Sequence, residues 1–222
     1  MRFYAELKDN FLRYFLQRRR ERRIVKFVRA NMMLSWLQEK LHARVVFIIR
    51  HPAPTIMSQM RSPRSWHPHF RIDIYRKDRR LLDALDDSTR KFLFQRLEDV
   101  EAYTLSWCIE NTMALRQAAE GDMTVIYYEN LVVRGAVEWQ RIMSALALDK
   151  EPDHELIAQP SQQTHGEKVS EPTLLRDLAS WKDRIEPSTA DRIQDVLNVT
   201  GMTAYNVQAA LPMVDLEAEG SS

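Results

Sequence analysis

The segment VVFIIRHPAPTIMSQMR, residues 45–61, decides the fold class that we predict for this sequence. Five consecutive apolar residues precede Arg50, which is typical of a β-strand covered on both faces. The following HPAP cannot continue a strand, because proline lacks the N–H that the ladder needs and restricts the residue before it. We therefore expect a helix after the prolines, with Thr55 as its N-cap and Ser58 in its first turn.

Two other β-prone runs accompany this strand. RIVKFV (residues 23–28) is separated from the apolar run at 43–49 by the helical stretch ANMMLSWLQEKLH, and MTVIYYENL (residues 123–131) is a third predicted strand. A strand, a helix and a strand within about thirty residues form the pattern of a βαβ unit, which predicts a parallel sheet flanked by helices. The predicted fold class is therefore α/β.

The rest of the chain is predicted to be mainly helical. An amphipathic helix is expected over residues 2–23, and helical periodicity returns over residues 81–120 and 137–148. A helix-turn-helix is predicted for WKDRIEPSTADRIQDVL, residues 181–197. Residues 61–80 contain two prolines and clustered charge, so we expect a long, partly irregular segment there.

Composition indicates one ordinary globular domain. The chain has 222 residues, of which 45% are hydrophobic and 28% charged. We predict a single domain over residues 1–210 and a frayed tail over residues 211–222. One cysteine, Cys108, excludes an internal disulfide framework and a cysteine-based metal cluster. No run approaches the roughly 18 apolar residues of a membrane span, and no secretory signal is recognisable. We expect a cytoplasmic protein without a bound metal.

Charge is distributed unevenly along the chain. Residues 1–80 hold 20 Lys and Arg against 6 Asp and Glu, a net charge of +14, whereas residues 81–222 hold 12 against 25, a net charge of −13. Such a split indicates an anionic partner for the first third, or neutralisation of one half by the other across an internal contact. The arginine run at residues 18–23 has no interleaved aromatics, so we do not predict nucleic-acid binding.

Polar side chains follow each predicted strand. Ligands of open parallel sheets bind beyond the carboxyl ends of the strands, where this sequence carries Lys26, Arg50 and Tyr128. The planar guanidinium of Arg50 suits phosphate oxygens, and a helix N-terminus with a Ser58 hydroxyl would add donors. The sequence therefore predicts a phosphate site. The alternative is that Arg50 pairs with a carboxylate and that Ser58 is a helix-surface serine.

These segments resemble the sulfotransferase family. IIRHPAPTIMSQMR is similar to the family's 3′-phosphate-binding segment, in which a strand runs into Arg-x-Pro and a helix carries a serine eight residues after the arginine. VIYYENL is similar to the strand that ends in Tyr-Glu-Asp-Leu, with Asn130 replacing the aspartate. RIVKFV resembles the lysine-bearing strand, and PSQQT with SWKDRIEP resembles the C-terminal section of bacterial members.

The resemblance implies a P-loop NTPase-like α/β fold and the donor 3′-phosphoadenosine-5′-phosphosulfate (PAPS), whose sulfuryl group passes to a hydroxyl or amine. Arg50 and Ser58 would hold the 3′-phosphate, Tyr128 would lie near the adenine, and Lys26 would stabilise charge on the leaving phosphate. The C-terminal polar loop, which precedes SWKDRI, would close over the donor and bring Lys168 to a phosphate. The acceptor would be a small molecule or a carbohydrate.

Two departures from the family pattern are visible. Cytosolic members have a general-base histidine where this chain has Val28, so His67 and His69 are candidates on chemistry alone, with ordinary surface histidines as the alternative. We interpret His51 as structural. The Pro-Lys/Arg-Ser-Gly-Thr-Thr loop that cradles the 5′-phosphosulfate is missing, so we expect a domain truncated at its N-terminus, by a wrong start or a shortened gene.

Two hypotheses follow from the missing loop. The first is an impaired sulfotransferase, and the second is a non-catalytic nucleotide-binding or partner-binding module that keeps the 3′-phosphate half-site. A kinase or nucleotide hydrolase is disfavoured, because the sequence has no Walker-type Gly-Lys-Ser/Thr. A sheet edge left unpaired by truncation would promote self-association.

Overall fold

A computed structural model describes residues 24–61, 67–149 and 178–214 of the chain. The described part is mostly helical and contains a two-stranded parallel sheet. Strand β1 (Val45–Ile49) pairs with strand β2 (Met123–Tyr127), in a register that places Ile49 opposite Tyr127. The predictions of an α/β chain, of a strand before Arg50 and of parallel pairing are confirmed.

Helices account for most of the remaining described residues. A 3₁₀ turn at Asn31–Met33 leads into the first of them. In chain order they are α1 (Leu34–Leu41), α2 (Pro52–Arg61), α3 (Pro68–Lys77), α4 (Arg79–Ala84), α5 (Asp87–Leu93), α6 (Asp99–Glu120), α7 (Tyr128–Val133), α8 (Gly135–Leu146) and α9 (Pro187–Val199). Helix α1 confirms the helix predicted before the apolar strand, and α8 confirms the one predicted over residues 137–148.

Helix α6 is the centre of the packing. The unbroken run from Ala102 to Ile109 is buried, and helices α2, α3 and α9 pack against α6. A capping box starts the helix: Glu98 caps the first turn, and the Glu101 carboxylate accepts the Glu98 N–H at 2.7 Å. The core therefore lies between one long helix and the small sheet, and it fixes where the strands end.

One predicted strand is absent, and another is confirmed but shorter than predicted. Residues 24–28 form no strand, and the apolar side chains of Ile24, Val25, Phe27 and Val28 are exposed. β propensity alone does not make a strand, which also needs a hydrogen-bonded neighbour and a surface to cover. The third predicted strand ends at Tyr127, four residues early, because Tyr128–Val133 is helical and buries Glu129 and Asn130.

The segment expected to be irregular contains a helix. Helix α3 occupies Pro68–Lys77, with proline at its first position, where a missing N–H costs nothing. The helical region predicted over residues 81–120 is divided into α4, α5 and α6. Asp78 and Asp86 cap α4 and α5 with their side chains, so each short helix begins at an aspartate that the periodicity does not reveal.

Several predictions fall outside the described residues. They are the N-terminal helix over residues 2–23 and the polar loop that contains Lys168. The boundary between the domain and its tail at residue 210 stays a prediction. Within the three described ranges, no helix has both the length and the apolar character needed to cross a membrane.

Candidate functional site

Arg50 and Tyr128 meet at the carboxyl ends of the two strands. They are the first residues after β1 and β2, and the strand partners before them are Ile49 and Tyr127. The guanidinium carbon of Arg50 lies 4.7 Å from the centroid of the Tyr128 ring, a cation–π arrangement. Arg50 is exposed and Tyr128 is half-buried. The structure thus joins two residues that the sequence analysis assigned to one ligand.

Arg50 has no carboxylate partner among the described residues. The ion pairs found there join other side chains, within α3, α5 and α8, between α3 and α6, and between α6 and α9. The alternative in which Arg50 pairs with an acidic side chain at the strand end therefore finds no support in the part of the chain that the structure describes. An exposed guanidinium in this state is available to an external anion.

The start of α2 differs from the prediction. The helix begins at Pro52, three residues before Thr55, and the Thr55 hydroxyl donates to the His51 carbonyl at 2.9 Å instead of capping. The side chain at the N-cap position is His51, whose Nδ1 accepts the Ala53 N–H at 3.1 Å. Proline is favoured in the first turn because its missing N–H is not needed there, which explains the early start.

This start removes the backbone donors that the sequence analysis expected for an anion. Of the first three helical residues, Pro52 and Pro54 have no N–H, and the Ala53 N–H is occupied by His51. The anion-binding property of a helix N-terminus depends on free N–H groups aimed at the ligand. At this helix, recognition of a phosphate would fall mainly to the Arg50 side chain.

Ser58 lies in the second turn of α2, rather than in the first turn, and it is exposed. No hydrogen bond joins it to Arg50 in the described structure. Lys26 is also exposed, in the irregular segment before α1 and outside the sheet. The structure therefore brings Arg50 and Tyr128 together, and it does not bring Ser58 or Lys26 into contact with them.

Beneath the Arg50–Tyr128 pair lies a buried hydrogen-bond network. The Glu129 carboxyl accepts the His51 N–H at 2.8 Å through Oε1 and the Tyr205 hydroxyl at 2.8 Å through Oε2. Glu129 and Tyr205 are each about 2% exposed. Tyr205 was not predicted as a site residue, because its partner Glu129 lies 76 positions away in the sequence. The one local indication of this network was a glutamate directly after Tyr128.

Contacts with three neighbouring residues fix the orientation of the His51 ring. Its Nε2 lies 3.2 Å from the Asn206 carbonyl, its ring stacks on Trp181 at 4.7 Å, and the Tyr205 ring meets it edge-on at 5.1 Å. Because Nδ1 accepts the Ala53 N–H, the neutral ring must carry its proton on Nε2, which donates to Asn206. The structural interpretation of His51 is in line with these contacts.

Burial is the largest cause of the pKa shifts in this network. The pKa of His51 is lowered to about 4, chiefly by burial and to a smaller extent by the positive charges of Lys182 and Arg50, against hydrogen bonds with the backbone of Asn206 and Ala209 that raise it. Burial also raises the pKa of Glu129, against hydrogen bonds from His51 and Tyr205 and the charge of Arg50. The pKa of Tyr205 is raised by burial and then by the neighbouring Glu129. The hydroxyl of Tyr205 therefore stays protonated, and His51 is neutral at physiological pH.

Lys182 is a second cation beside the Trp181 ring, on which His51 stacks. Its Nζ lies 5.8 Å from the centroid of the Trp181 ring and donates to the Gln208 carbonyl at 2.6 Å. The charges of Lys182 and of Arg50 both act on His51. The electrostatic environment of the network therefore includes two exposed cations.

The general-base candidates are not at this edge. His67 is exposed at the start of α3, and His69 Nε2 lies 2.9 Å from Asp99 Oδ1. The two rings are 5.3 Å apart. In the described ranges, no group of three or more His, Cys, Asp or Glu side chains is arranged to hold a metal ion.

A separate groove of about 640 Å³ runs beside β2, between the end of α6 and α8. Val125 and Arg141 line it, and the Arg141 guanidinium donates to the Val125 carbonyl at 3.3 Å and to Glu138 at 2.9 Å. None of the predicted site residues lines this groove. We place the candidate site at Arg50 and Tyr128 because that is where unpaired charge and an aromatic ring meet.

Comparison with protein-family models, with curated proteins and with solved structures finds no match to this chain. The chemistry of the site is therefore argued from the side chains at the two strand ends.

Proposed function

We propose that this chain binds the nucleotide part of 3′-phosphoadenosine-5′-phosphosulfate at the Arg50–Tyr128 edge of a P-loop NTPase-like α/β fold, and that it is a sulfotransferase-type protein. The observation that carries the proposal is the exposed Arg50 guanidinium held 4.7 Å over the Tyr128 ring, at the carboxyl ends of two parallel strands. Open parallel sheets bind their ligands at such an edge.

Arg50 is the group that would recognise the 3′-phosphate. A planar guanidinium makes paired hydrogen bonds to phosphate oxygens, and the Tyr128 ring beneath it restricts its orientation before the ligand arrives. The N-terminus of α2 offers no free N–H in its first three residues, so the side chain has little help from the backbone. Binding should therefore depend strongly on Arg50.

Tyr128 would contact the adenine. Its ring already stacks with a cation on one side, and base–aromatic stacking is worth about 1–3 kcal/mol per base. Ser58, from its hydroxyl donor and the family resemblance, and Lys168, from its place before SWKDRI, complete the proposed donor contacts. A small-molecule or carbohydrate acceptor and a cytoplasmic location belong to the same proposal.

Transfer of the sulfuryl group is assigned to Lys26. An ammonium beside the bridging oxygen would stabilise the charge that builds up on the leaving phosphate. Lys26 is exposed and lies outside the sheet, and this placement favours a second candidate function, a nucleotide-binding module without transfer. The two functions share the Arg50–Tyr128 site and differ in whether Lys26 acts on the donor.

One pair of assays tests the proposal. Calorimetry should show tighter binding of adenosine 3′,5′-bisphosphate than of adenosine 5′-monophosphate, because only the former carries the 3′-phosphate. Labelled sulfate transfer from PAPS to an acceptor panel should be weak in this chain, because the sequence has no loop of the 5′-phosphosulfate-binding type, and stronger in a version extended by such a strand and loop. In the extended version, Lys26→Ala should abolish transfer while bisphosphate affinity is retained. Equal binding of the two nucleotides would refute the proposed site. Preferential bisphosphate binding without transfer by either version would select the non-catalytic function.

A further inference from the structure

One buried carboxyl group connects the two strand exits. Glu129 directly follows Tyr128, and its Oε1 accepts the N–H of His51, the residue that directly follows Arg50, at 2.8 Å. Its Oε2 accepts the Tyr205 hydroxyl at 2.8 Å, and the same hydroxyl lies 3.4 Å from the Ile49 carbonyl at the end of β1. The carboxyl thus accepts directly from the residue after Arg50 and is connected, through the Tyr205 hydroxyl, to the residue before it.

We propose that Glu129 is a positioning residue for the Arg50–Tyr128 site, which fixes the separation of the two strand exits and so holds the guanidinium against the ring. The inference rests on the proposed nucleotide binding at that site. A link of this kind matters because β1 and β2 have one strand neighbour each in the described sheet, and their pairing stops at Ile49 and Tyr127. Beyond that point, the carboxyl group continues the connection.

The network can hold Glu129 in either protonation state. When the carboxylate is ionised, the Tyr205 hydroxyl donates to Oε2. When Oε2 carries the proton, it can donate to the Tyr205 oxygen, and the Tyr205 hydroxyl can turn toward the Ile49 carbonyl. The spacing of the strand exits is kept in both states, but the charge beside Arg50 changes by one unit.

The groups that face Glu129 determine how its charge affects the binding of an anionic ligand. Arg50 attracts the ionised form, and burial opposes it. His51 is neutral, Tyr205 keeps its proton, and Tyr127 packs edge-on against Tyr205 at 6.0 Å. Lys182 lies beside the Trp181 ring, with its Nζ 5.8 Å from the ring centroid. A phosphate at Arg50 would meet repulsion from an ionised Glu129, so the neutral form should bind the nucleotide more tightly.

Three variants separate positioning from simple loss of structure. Glu129→Ala removes both links and should weaken calorimetric binding of adenosine 3′,5′-bisphosphate by about tenfold. Glu129→Gln reproduces the neutral acid, because its oxygen accepts from His51 and its amide donates to Tyr205, so it should restore wild-type affinity at low pH. Tyr205→Phe should lie between them. Urea unfolding confirms that each variant is folded before binding is measured.

A matched control exists elsewhere in the core. Glu110 on α6 accepts the Tyr75 hydroxyl at 2.6 Å and pairs with Arg71, so it shares with Glu129 the feature of a tyrosine partner, although it is only partly buried. Glu110→Gln should leave the nucleotide affinity within about twofold of wild type. Glu110→Gln makes the same chemical change at another place, so this control shows whether an effect on binding depends on the position of the carboxyl group.

A pH series supplies a readout that a purely structural role would not change. The ratio of the wild-type Kd to the Glu129→Gln Kd cancels the ligand's own ionisation. Measured over the widest pH range in which wild type stays folded, it should rise by at least about threefold as the pH increases through the raised pKa of the wild-type carboxyl.

A flat ratio, or wild-type affinity in Glu129→Ala, would overturn the inference. If Arg50→Ala weakens binding and Glu129→Ala does not, the positioning role fails alone. If Arg50→Ala has no effect, the proposed function fails.

Discussion

The guanidinium of Arg50 stacks on the ring of Tyr128, with 4.7 Å between the guanidinium carbon and the ring centroid. Parallel pairing of β1 with β2 produces this contact, because Ile49 and Tyr127 are partners in the register and the next residues leave the sheet side by side. A cation is thereby held at the sheet edge without a carboxylate partner in the described residues. The testable consequences begin with the ring.

Replacing Tyr128 should separate the role of the ring from that of the hydroxyl. Tyr128→Phe keeps the stacking surface for Arg50 and should leave the affinity for adenosine 3′,5′-bisphosphate close to wild type. Tyr128→Leu removes the ring and should weaken binding by about 0.5–2 kcal/mol, from the lost cation–π contact and lost base stacking. Calorimetry on the two variants measures both effects. Equal weakening in both would show that the hydroxyl matters instead.

His51 should stabilise the start of α2 through its ring nitrogen. His51→Ala leaves the Ala53 N–H without its partner, whereas Asn at the same position offers a side-chain oxygen to accept it. Both substitutions lose the stacking on Trp181, so the difference between them reports the cap. We expect Asn to be about 1 kcal/mol more stable than Ala in urea unfolding. Equal stabilities would show that the nitrogen does not cap the helix.

Acid should destabilise the protein through the same histidine. Burial lowers the folded-state pKa of His51 from 6.5 to about 4, so the unfolded chain binds the proton more readily between these values. Stability from this residue is therefore fully present above pH 6.5 and falls as the pH decreases toward 4, by on the order of 3 kcal/mol. The free energy of unfolding of wild type relative to His51→Asn, measured across this range, should decline with acidification. A constant difference would contradict the argument.

Glu129 should have the opposite effect on stability. Burial raises its folded-state pKa above 4.5, so the folded protein binds the proton more tightly than the unfolded chain does. Its favourable contribution is therefore present at low pH and is lost as the pH rises through the raised pKa. Glu129→Gln stays neutral, so its free energy of unfolding relative to wild type should increase with pH. A relative stability that falls with pH would contradict a raised pKa.

The sequence predicted the main chain at the site better than it predicted the side chains around it. The apolar run that stops at Arg50, and the polar residues from Tyr128 that follow the second run, sufficed to place Arg50 and Tyr128 at one sheet edge, although the second strand is four residues shorter than predicted. The helix start was misjudged because the first-turn preference of Pro52 outweighed the capping preference of Thr55. RIVKFV was misjudged because β propensity alone does not make a strand, and the described residues 24–28 are irregular.

The buried network could not be predicted from local patterns. Tyr205 and Trp181 reach His51 from a segment far along the chain, and neither lies in a motif that marks it as a partner. Glu129 carried a weak signal, as a glutamate directly after an apolar strand. Its two hydrogen bonds depend on how the C-terminal segment packs beneath the sheet edge, and tertiary packing of that kind leaves no periodic trace in a sequence.

Arg50 is the residue on which the account depends, and Arg44 is its matched control. Arg44 is an exposed arginine just before β1, at the opposite end of the strand from Arg50, and its guanidinium donates to the Ala145 carbonyl at 3.3 Å. Arg44→Ala should leave nucleotide affinity unchanged. Arg50→Lys should bind with intermediate affinity, because an ammonium keeps the charge but loses the planar fork.

The most direct measurement is calorimetric binding of adenosine 3′,5′-bisphosphate and of adenosine 5′-monophosphate to wild type and to Arg50→Ala. We predict that the substitution weakens bisphosphate binding by about 1.5–3 kcal/mol, the value of a charge-assisted contact, and weakens monophosphate binding much less. Unchanged bisphosphate affinity in Arg50→Ala, or an equal loss for both nucleotides, would contradict the assignment of Arg50 to the 3′-phosphate.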